Sequence, residues 1–390
     1  MPIHRISLKN FKCFKETDIE LSRITVLTGE NSSGKSSLIY GILAPFQSNK
    51  FPLYLSPNGK YLNMGSFIEM SFKNMKSNEI EINIILDEHG CSNIYKSTWI
   101  LNPINQMPKL NYLMCIEEDD YSMEIMMSDD NSYIANSDGG NDKPKTIKSQ
   151  NLENVVKHYL GYFVEDFLED LNFIGPFRLA PERTYYQKAK ADEKVGMNGE
   201  GYIDQILEWE HQKAPQFKKL ISILNDLELI HSLKTQQLKG GRFEVNVKTK
   251  SKGVWASLAD VGFGISQFLP VIVADLQLPN NSTLLVAQPE IHLHPSIQAS
   301  LADYFVNQII ETGNQYIIET HSEYLLNRFR LDIVKGKLDP ADISVYYFEP
   351  SPKGSITYRI EFTKDGQIKN APKGFFDTYM IDTMDIALYA

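Results

Sequence analysis

The chain has 390 residues, 42% hydrophobic and 23% charged, which is enough for one large or two average globular domains. No apolar run approaches the length of a membrane span and no apolar signal region follows the first residues, so we expect a soluble cytoplasmic protein. The formal net charge of −10 argues against a general nucleic-acid coat, and the cysteines form no C-x-x-C pair that would indicate disulfides or a thiolate zinc site.

Alternating apolar and polar side chains open the chain. Residues 5–12 and 18–21 alternate as half-buried strands do, and residues 24–27 form a short apolar run typical of a buried strand. We therefore expect a β-rich first third that contains a small antiparallel sheet. Further strands are predicted at residues 66–75, 79–86 and 97–101.

A phosphate-binding loop follows the apolar run. Residues 29–36 read GENSSGKS and lead into a helix-like segment at 37–40, so strand, loop and helix all fit this motif. Glycines let backbone N–H groups close on a polyphosphate, and the positive end of the helix points there. Lys35 is expected to reach the β- and γ-phosphates of a nucleoside triphosphate, and the Ser36 hydroxyl to ligate Mg²⁺. The candidate binding residues of the loop are Gly29, Asn31, Ser32, Ser33, Gly34, Lys35, Ser36 and Ser37.

Two segments in the middle of the chain differ from their surroundings. Residues 117–149 are acidic and poor in aliphatic side chains, which predicts a mobile polar insertion rather than core. Helical spacing returns within residues 150–240, where Pro215 should mark a break. We therefore predict an inserted helical block after the polar insertion.

A lysine-rich segment is the best candidate for a local basic face. Residues 234–252 contain six lysines and arginines but one acid, Glu244, and a strand there would place Lys248, Lys250 and Lys252 on one solvent face. Two interpretations stay open: a solvated edge strand protected by lysines, or a contact with DNA or a protein partner.

Strands and helices alternate in the last part of the chain, residues 241–390. Strands are predicted at 283–287 and 315–319, and helices at 295–310 and 323–334. This order is typical of a parallel sheet with helical crossovers, so we expect an α/β fold. The strand before the phosphate loop should belong to the same sheet.

Three later motifs narrow the class of nucleotide-binding protein that the phosphate loop indicates. They are a glycine-rich turn at 260–267 (DVGFGISQ), the segment 284–295 (LLVAQPEIHLHP), and 320–322 (THS) at the end of the next strand. With residues 10–12 (NFK) and the loop at 29–36, they resemble the ABC-type ATPases of the RecF, SMC and overcoming-lysogenization-defect group. The resemblance covers nearly the whole chain.

This resemblance implies an ABC-type ATPase head with a β-rich N-terminal lobe and a helical insertion, divided into residues 1–116, 117–149, 150–240 and 241–390. Such heads bind ATP with Mg²⁺ and dimerise head to tail around two nucleotides. The glycine-rich turn would then contact the γ-phosphate held by the opposite subunit, and His321 would be the switch histidine. Beyond the loop, the resemblance implies ATP contacts by Asn10, Phe11, Lys12, Gly262, Gly264, Ser266 and Gln267.

One strand end departs from the family pattern. Where the family has one carboxylate for the Mg²⁺ shell and a second for the attacking water, this chain has Ala287 and Gln288, and neither can act as a general base. Glu290 and Glu319 are nearby acids that could substitute. Because backbone amides and loop side chains supply most phosphate contacts, we expect ATP binding with weak or absent hydrolysis. The catalytic candidates are Gln288, Glu290 and His321.

Two histidines close to this strand end have a spacing compatible with metal ligation. His292 and His294 lie two residues apart, but no carboxylate or cysteine with helical spacing accompanies them. We therefore interpret them as packing residues.

Further matches at 175–178 (GPFR), 181–183 (PER) and 372–377 (PKGFFD) resemble a bacterial branch of these ATPases in anti-phage systems, closest to Septu-type ATPase subunits. Septu-type systems keep the nuclease on a separate chain, whereas Gabija and overcoming-lysogenization-defect proteins carry a fused Toprim nuclease, for which the stretch after residue 334 is too short. We therefore expect a homo-oligomeric regulatory subunit that controls a separate nuclease or toxic effector. The alternatives are a DNA-stimulated RecF/SMC-type ATPase in repair or maintenance, and a self-contained nuclease.

Overall fold

A computed structural model of the chain describes residues 2–75, 79–88, 91–117, 121–129, 132–137, 144–160, 164–192, 194–372 and 375. The strands are β1 (Ile3–Phe11), β2 (Phe14–Glu20), β3 (Ile24–Gly29), β4 (Ile80–Glu88), β5 (Cys91–Leu101), β6 (Pro108–Glu117), β7 (Tyr121–Asp129), β8 (Ser132–Ser137), β9 (Lys145–Lys148), β10 (Leu171–Ile174), β11 (Tyr185–Tyr186), β12 (Ser232–Gln237), β13 (Arg242–Lys248), β14 (Ala256–Ser257), β15 (Thr283–Ala287), β16 (Gln315–Glu319), β17 (Ile343–Glu349), β18 (Ile356–Phe362) and β19 (Ile368–Lys369). The helices are α1 (Lys35–Gln47), α2 (Phe67–Met70), α3 (Leu152–Leu160), α4 (Tyr202–Gln212), α5 (Pro215–Asp226), α6 (Phe263–Gln277), α7 (Pro295–Thr312) and α8 (Glu323–Val334).

The described residues form two compact units. The phosphate-loop sequence lies in the first unit, and the glycine-rich turn, the β15 end and His321 lie in the second. The first unit contains residues 2–22, 29–171 and 348–357, and the second contains 23–28, 172–347 and 358–375.

An antiparallel sheet with the strand order β2-β1-β4-β5-β6-β7-β8-β9 dominates the first unit. Leu8 of β1, Ile82 of β4 and Trp99 of β5 are buried on one face, as the alternation along each strand requires. Helix α1 packs closely on β1, since a Cβ atom added to Gly41 would lie 2.5 Å from Leu8 Cδ1. The strands predicted at 79–86 and 97–101 are confirmed within β4 and β5.

The strand predicted at residues 66–75 is wrong. This segment forms α2 and a short 3₁₀ turn, because Ser66 and Glu69 make a capping box in which Glu69 Oε2 accepts the Ser66 N–H at 2.7 Å. The capping signature outweighs the β-like apolar pattern.

The polar insertion predicted at residues 117–149 is also wrong where the structure describes this region. β7, β8 and β9 continue the antiparallel sheet, and Met123 and Ile125 of β7 are fully buried. Two apolar side chains at alternate positions are enough for a half-buried strand even beside acidic turns. The remaining residues, 118–120, 130–131 and 138–143, lie outside the described residues.

A mixed sheet with the order β10-β15-β16-β3-β17-β18-β19 organises the second unit. β15, β16 and β3 are parallel, and β18 and β19 antiparallel. The prediction of an α/β fold is confirmed: the predicted strands at 283–287 and 315–319 and the helix at 323–334 match β15, β16 and α8, while α7 extends two residues beyond its predicted end at 310. Val286 and Ile318 of the sheet share a core with Phe268 of α6 and Phe305 of α7.

The helical block predicted at residues 150–240 is only partly helical. α4 ends at Gln212 and α5 begins at Pro215, so the predicted break is confirmed. However, Leu171–Ile174 forms β10, an edge strand with four buried residues, because this run, apolar except for Asn172, is too short for a helix. β12 also lies in this block and pairs with β13.

The face predicted for Lys248, Lys250 and Lys252 does not form. β13 ends at Lys248, and a turn closed by the hydrogen bond from Gly253 N to Lys250 O takes the chain away from the strand. Lys248 instead lies over the Trp255 ring, 5.1 Å from its centroid. Within the described ranges, no helix is long and apolar enough to cross a membrane.

Candidate functional site

The phosphate loop begins where β3 ends, and two glycines shape it. Gly29 and Gly34 have φ angles of +132° and +117°, which L side chains rarely adopt. A Cβ atom on Gly29 would overlap the Phe348 carbonyl oxygen, and one on Gly34 would lie 2.8 Å from Cys13 Sγ. Both positions therefore require glycine, for conformation and for space.

The start of α1 offers a set of hydrogen-bond donors suited to an anion. Its N-cap residue, Gly34, provides no side-chain cap, and no acidic side chain occupies the first turn. Ser33 Oγ is buried and has no hydrogen-bond partner in the part of the chain that the structure describes. Ser36 lies exposed in the first turn, where its hydroxyl can serve a cation held by a phosphate. A polyphosphate with Mg²⁺ fits this arrangement.

The Lys35 ammonium lies within the loop. The residue is 4% exposed, and Nζ donates hydrogen bonds to the carbonyl oxygens of Gly29 at 3.0 Å and Glu30 at 2.6 Å. A buried cation held by the loop's own carbonyls is oriented before any ligand arrives. The loop is further fixed by the Ser355 hydroxyl, which donates to the Ser33 carbonyl oxygen.

The other predicted contacts of the first unit have structural partners. Asn31 and Ser32 are exposed in the loop. Asn10 Nδ2 donates to the Glu79 carbonyl oxygen at 2.9 Å, and Phe11 is fully buried. Lys12 Nζ donates to the carbonyl oxygens of Met64 and Glu69, and burial lowers the pKa of Lys12. These last three side chains hold the turn after β1, and an ATP contact by them stays a prediction.

The glycine-rich turn opens α6. Gly262 is the N-cap and is exposed, and a Cβ atom there would meet nothing within 4 Å. Gly264 is packed against the next loop, where a Cβ atom would lie 2.5 Å from the His292 carbonyl oxygen. Ser266 and Gln267 are buried: Ser266 Oγ donates to the Phe263 carbonyl oxygen at 2.8 Å. A nucleotide contact by these two side chains would require the first turn of α6 to rearrange.

An arginine, not a carboxylate, binds the end of β15. Arg178 is 7% exposed and donates to the carbonyl oxygens of Ala287 at 2.6 Å and Gln288 at 3.3 Å. Burial lowers the pKa of Arg178 to about 10, against the opposing effect of the Glu290 charge. Sequence reasoning noticed this arginine as a family match but gave it no role. The sequence signal for a role of Arg178 is a charged residue within the otherwise apolar stretch that follows β10.

Glu290 and His321 are joined at this edge of the sheet. Glu290 is 8% exposed, and its Oε1 accepts the main-chain N–H of His321 at 2.8 Å. Burial raises the pKa of the Glu290 carboxyl, and hydrogen bonds and the Arg178 charge oppose the shift. The His321 side chain is exposed, and the Gln288 main-chain N–H donates to the Glu319 carbonyl oxygen at 2.7 Å. The structure therefore brings together the three catalytic candidates Gln288, Glu290 and His321.

The two neighbouring histidines have packing and capping contacts. The His292 ring meets the Phe263 ring edge-on, 4.9 Å between centroids, and His294 Nδ1 accepts the Ser296 N–H at the start of α7. In the regions that the structure describes, no three His, Cys, Asp or Glu side chains are placed to hold a metal ion. These contacts agree with the packing interpretation.

No curated protein matches this chain. It is similar to an SMC head domain from Thermotoga maritima, with 14% identity, a TM-score of 0.44, and coverage of 92% of this chain and 98% of that chain. It is similar to an Smc head bound to the C-winged helix domain of ScpA, with 14% identity, a TM-score of 0.46, and coverage of 93% and 98%. It is also similar to an Smc head domain with an extended coiled coil, bound to the C-terminal domain of ScpA, from Pyrococcus furiosus, with 11% identity, a TM-score of 0.41, and coverage of 99% of each chain.

Two families match parts of the chain. Residues 338–386 match a family described as a protein of unknown function (DUF3696). The family described as AAA ATPase domain matches residues 1–154 and 61–326, which is more than half of the chain. This chain therefore belongs to the AAA ATPase domain family.

Proposed function

We propose that this protein is an ATP-binding regulatory subunit that uses ATP to hold two copies together and hydrolyses it slowly or not at all. The observation that carries the proposal is a complete phosphate loop in a chain whose β15 ends at Ala287 and is followed by Gln288, with no carboxylate at either position. ATP with Mg²⁺ would supply the phosphate charge that Lys35, Ser36 and the start of α1 are arranged to hold.

The residues near the end of β15 are poor candidates for a general base, which supports slow hydrolysis. The Gln288 amide cannot take a proton from water, and Glu290 is buried with one oxygen already accepting the His321 N–H. Glu319, also buried, is the remaining acid at the neighbouring strand end. A site that binds ATP without turning it over favours a persistent nucleotide-bound state, which suits a sensor of nucleotide level better than a motor.

Exposed apolar side chains support self-association through the second unit. Phe177 and Leu179, on either side of Arg178, are 85% and 52% exposed, and Phe263 beside Gly262 is 45% exposed. Large apolar side chains in such positions suit a protein interface. We propose a head-to-tail dimer in which the Gly262 turn of one copy meets the nucleotide of the other.

The proposed biological role is control of a separate nuclease or toxic effector in anti-phage defence. Its support is the resemblance at residues 175–178, 181–183 and 372–377, together with the binding loop and the missing acids. A phage challenge of bacteria that express the chain with its flanking genes tests this role. Lys35→Ala should abolish protection, while Lys15→Ala, which changes an exposed lysine of the same unit, should not. Protection independent of Lys35 would overturn the role.

Phosphate release by the purified chain with Mg²⁺-ATP, beside nucleotide binding and light scattering, tests the biochemical proposal. The wild type and Lys15→Ala should bind ATP and dimerise with it, and Lys35→Ala should do neither. Wild-type turnover should not exceed the Lys35→Ala blank, and Gln288→Glu should raise it by supplying the missing acid. Wild-type turnover more than about tenfold above the blank would overturn the slow-hydrolysis proposal, since a positioned acid or base contributes at least that factor.

A DNA-stimulated ATPase is the second candidate, favoured by one surface. Lys234 and Lys248 lie 4.6 and 5.1 Å from the centroid of the Trp255 ring, which is 40% exposed. Ammonium groups around an exposed indole suit a phosphate backbone with a stacked base. DNA-stimulated phosphate release that Lys248→Glu abolishes would favour this function over the regulatory one.

A further inference from the structure

Two buried, oppositely charged side chains at the end of β15 are each incompletely satisfied. Arg178 Nε and Glu290 Oε2 have no hydrogen-bond partner among the residues that the structure describes. Buried charges without partners are costly, so such groups are retained where their other contacts matter. Burial acts against the ionised form of both groups, and the charges of Arg178 and Glu290 oppose this effect on each other's pKa.

Each of the two side chains holds a piece of main chain. The Arg178 guanidinium binds the carbonyl oxygens of Ala287 and Gln288, where β15 ends. The Glu290 carboxylate binds the N–H of His321, where β16 has ended. Arg178 thus holds the end of β15, and Glu290 connects the turns that follow two adjacent parallel strands.

The main chain around His321 is fixed at three consecutive residues. Thr320 N donates to the Leu27 carbonyl oxygen in β3 at 3.0 Å, His321 N donates to Glu290, and Ser322 N donates to Thr320 Oγ1 at 3.0 Å. Ser322 Oγ also caps α8 by accepting the Leu325 N–H. Of these three bonds, the one to Glu290 is accepted by a carboxyl group from outside the 320–322 segment.

We propose that Glu290 is a positioning residue that fixes the main chain of His321, and with it the direction of the exposed imidazole, and is not a stand-in general base. A general base must reach a water molecule, whereas this carboxylate is buried and one of its oxygens is committed to a main-chain N–H. Any effect of this contact on ATP-dependent dimerisation rests on the function proposed above, whereas the contact between Glu290 and His321 does not.

Three substitutions of Glu290 separate the effect of its side-chain length from the effect of its charge. Glu290→Gln keeps the length and an acceptor oxygen but loses the charge, so it should preserve the bond to His321. Glu290→Asp keeps the charge but is one methylene shorter, and Glu290→Ala removes the acceptor. A positioning role ranks Gln above Asp and Ala, whereas a general base requires a carboxylate and ranks Asp above Gln.

Amide hydrogen exchange without nucleotide tests the contact directly. In the peptide that contains His321, Glu290→Ala and Glu290→Asp should speed exchange by about tenfold, since a hydrogen bond to a charged group is lost. Glu290→Gln should stay within about threefold of the wild type because a neutral acceptor remains. Unchanged exchange in the Ala and Asp variants would overturn the proposal. If Glu290→Ala does not fold, the Asp and Gln pair decides.

Light scattering with Mg²⁺-ATP tests the consequence. Glu290→Asp and His321→Ala should each weaken dimerisation by about tenfold, and the double variant should be no weaker than the worse single one. Glu290→Asp dimers as tight as wild type, with His321→Ala dimers weakened, would overturn positioning. If the wild type does not dimerise with ATP, the proposed function fails, and the exchange experiment still decides the role of Glu290.

Discussion

Replacing Gly34 by alanine should distort the phosphate loop and weaken nucleotide binding. Gly34 has a φ of +117°, and a Cβ atom would lie 2.8 Å from Cys13 Sγ, 3.0 Å from Ser355 Oγ and 3.1 Å from Phe14 Cζ. Ser355 also donates to the Ser33 carbonyl oxygen, so a shift of its side chain removes a bond that holds the loop. The loop must move to accept even one methyl group.

The cost of this substitution has two parts. An unfavourable φ costs an L residue about 1–2 kcal/mol. Overpacking against three atoms adds about 1–3 kcal/mol. We expect a loss of about 3 kcal/mol in the free energy of unfolding of the first unit, and at least about tenfold weaker ATP binding, because the loop N–H groups no longer converge.

Calorimetric unfolding and titration with an ATP analogue measure both effects. Gly240→Ala is the matched control for backbone strain, because Gly240 has a φ of +78° and a Cβ atom there would meet nothing within 4 Å. The control should lose about 1 kcal/mol in stability and keep ATP binding. Equal stability losses in the two variants, with binding intact in Gly34→Ala, would refute the packing argument.

Three further substitutions test the second unit. Gly264→Ala should lower stability by about 2 kcal/mol, because its Cβ atom would lie 2.5 Å from the His292 carbonyl oxygen; calorimetry measures the loss. Tyr316→Phe should cost about 2 kcal/mol in urea unfolding, because the Tyr316 hydroxyl donates to the buried Asp275 carboxylate at 2.8 Å. Burial and a neighbouring aspartate raise the pKa of Asp332 from 3.8 to about 6, so its ionisation destabilises the fold progressively as pH rises through this window. The gain from Asp332→Asn should therefore grow by about 1 kcal/mol between about pH 5 and about pH 7.5 in urea unfolding.

Controls separate these effects from general damage. Gly262→Ala, where a Cβ atom meets nothing within 4 Å, should leave stability within about 0.5 kcal/mol of wild type. A Gly264→Ala protein as stable as Gly262→Ala would contradict the close packing of the turn. Wild-type stability in Tyr316→Phe would mean that Asp275 does not need this donor. A pH-independent effect of Asp332→Asn would show that the carboxyl titrates normally.

Local patterns explain what the sequence predicted well. The phosphate loop is encoded by adjacent residues 29–36, so its form follows from glycine spacing alone. β15, β16 and α8 were predicted to the residue, the two strands because strands buried on both faces read as continuous apolar runs. In contrast, β7 was missed because acidic residues surround it, although Met123 and Ile125 carry its burial.

Contacts between residues distant in the sequence explain what it did not predict. The Arg178 guanidinium binds carbonyl oxygens 109 and 110 residues away, and Glu290 binds a main-chain N–H 31 residues away. No periodicity or motif spacing encodes such partners, because they depend on the order of strands in the sheet. Glu290 therefore looked like a substitute acid in the sequence, and only its hydrogen bond to His321 argues for another role.

The charge at the end of β15 depends on the residues at positions 287 and 288. With carboxylates at positions 287 and 288, the strand end would carry two negative charges beside Arg178 and Glu290. With Ala287 and Gln288, no carboxylate stands at these two positions, and the arginine is bound by main-chain carbonyls. A neutral strand end holds a divalent cation less strongly than a dianionic one, because hard cations are bound chiefly by carboxylate oxygens. Under the function proposed above, Ala287 and Gln288 would therefore supply neither a general base nor a carboxylate ligand for Mg²⁺.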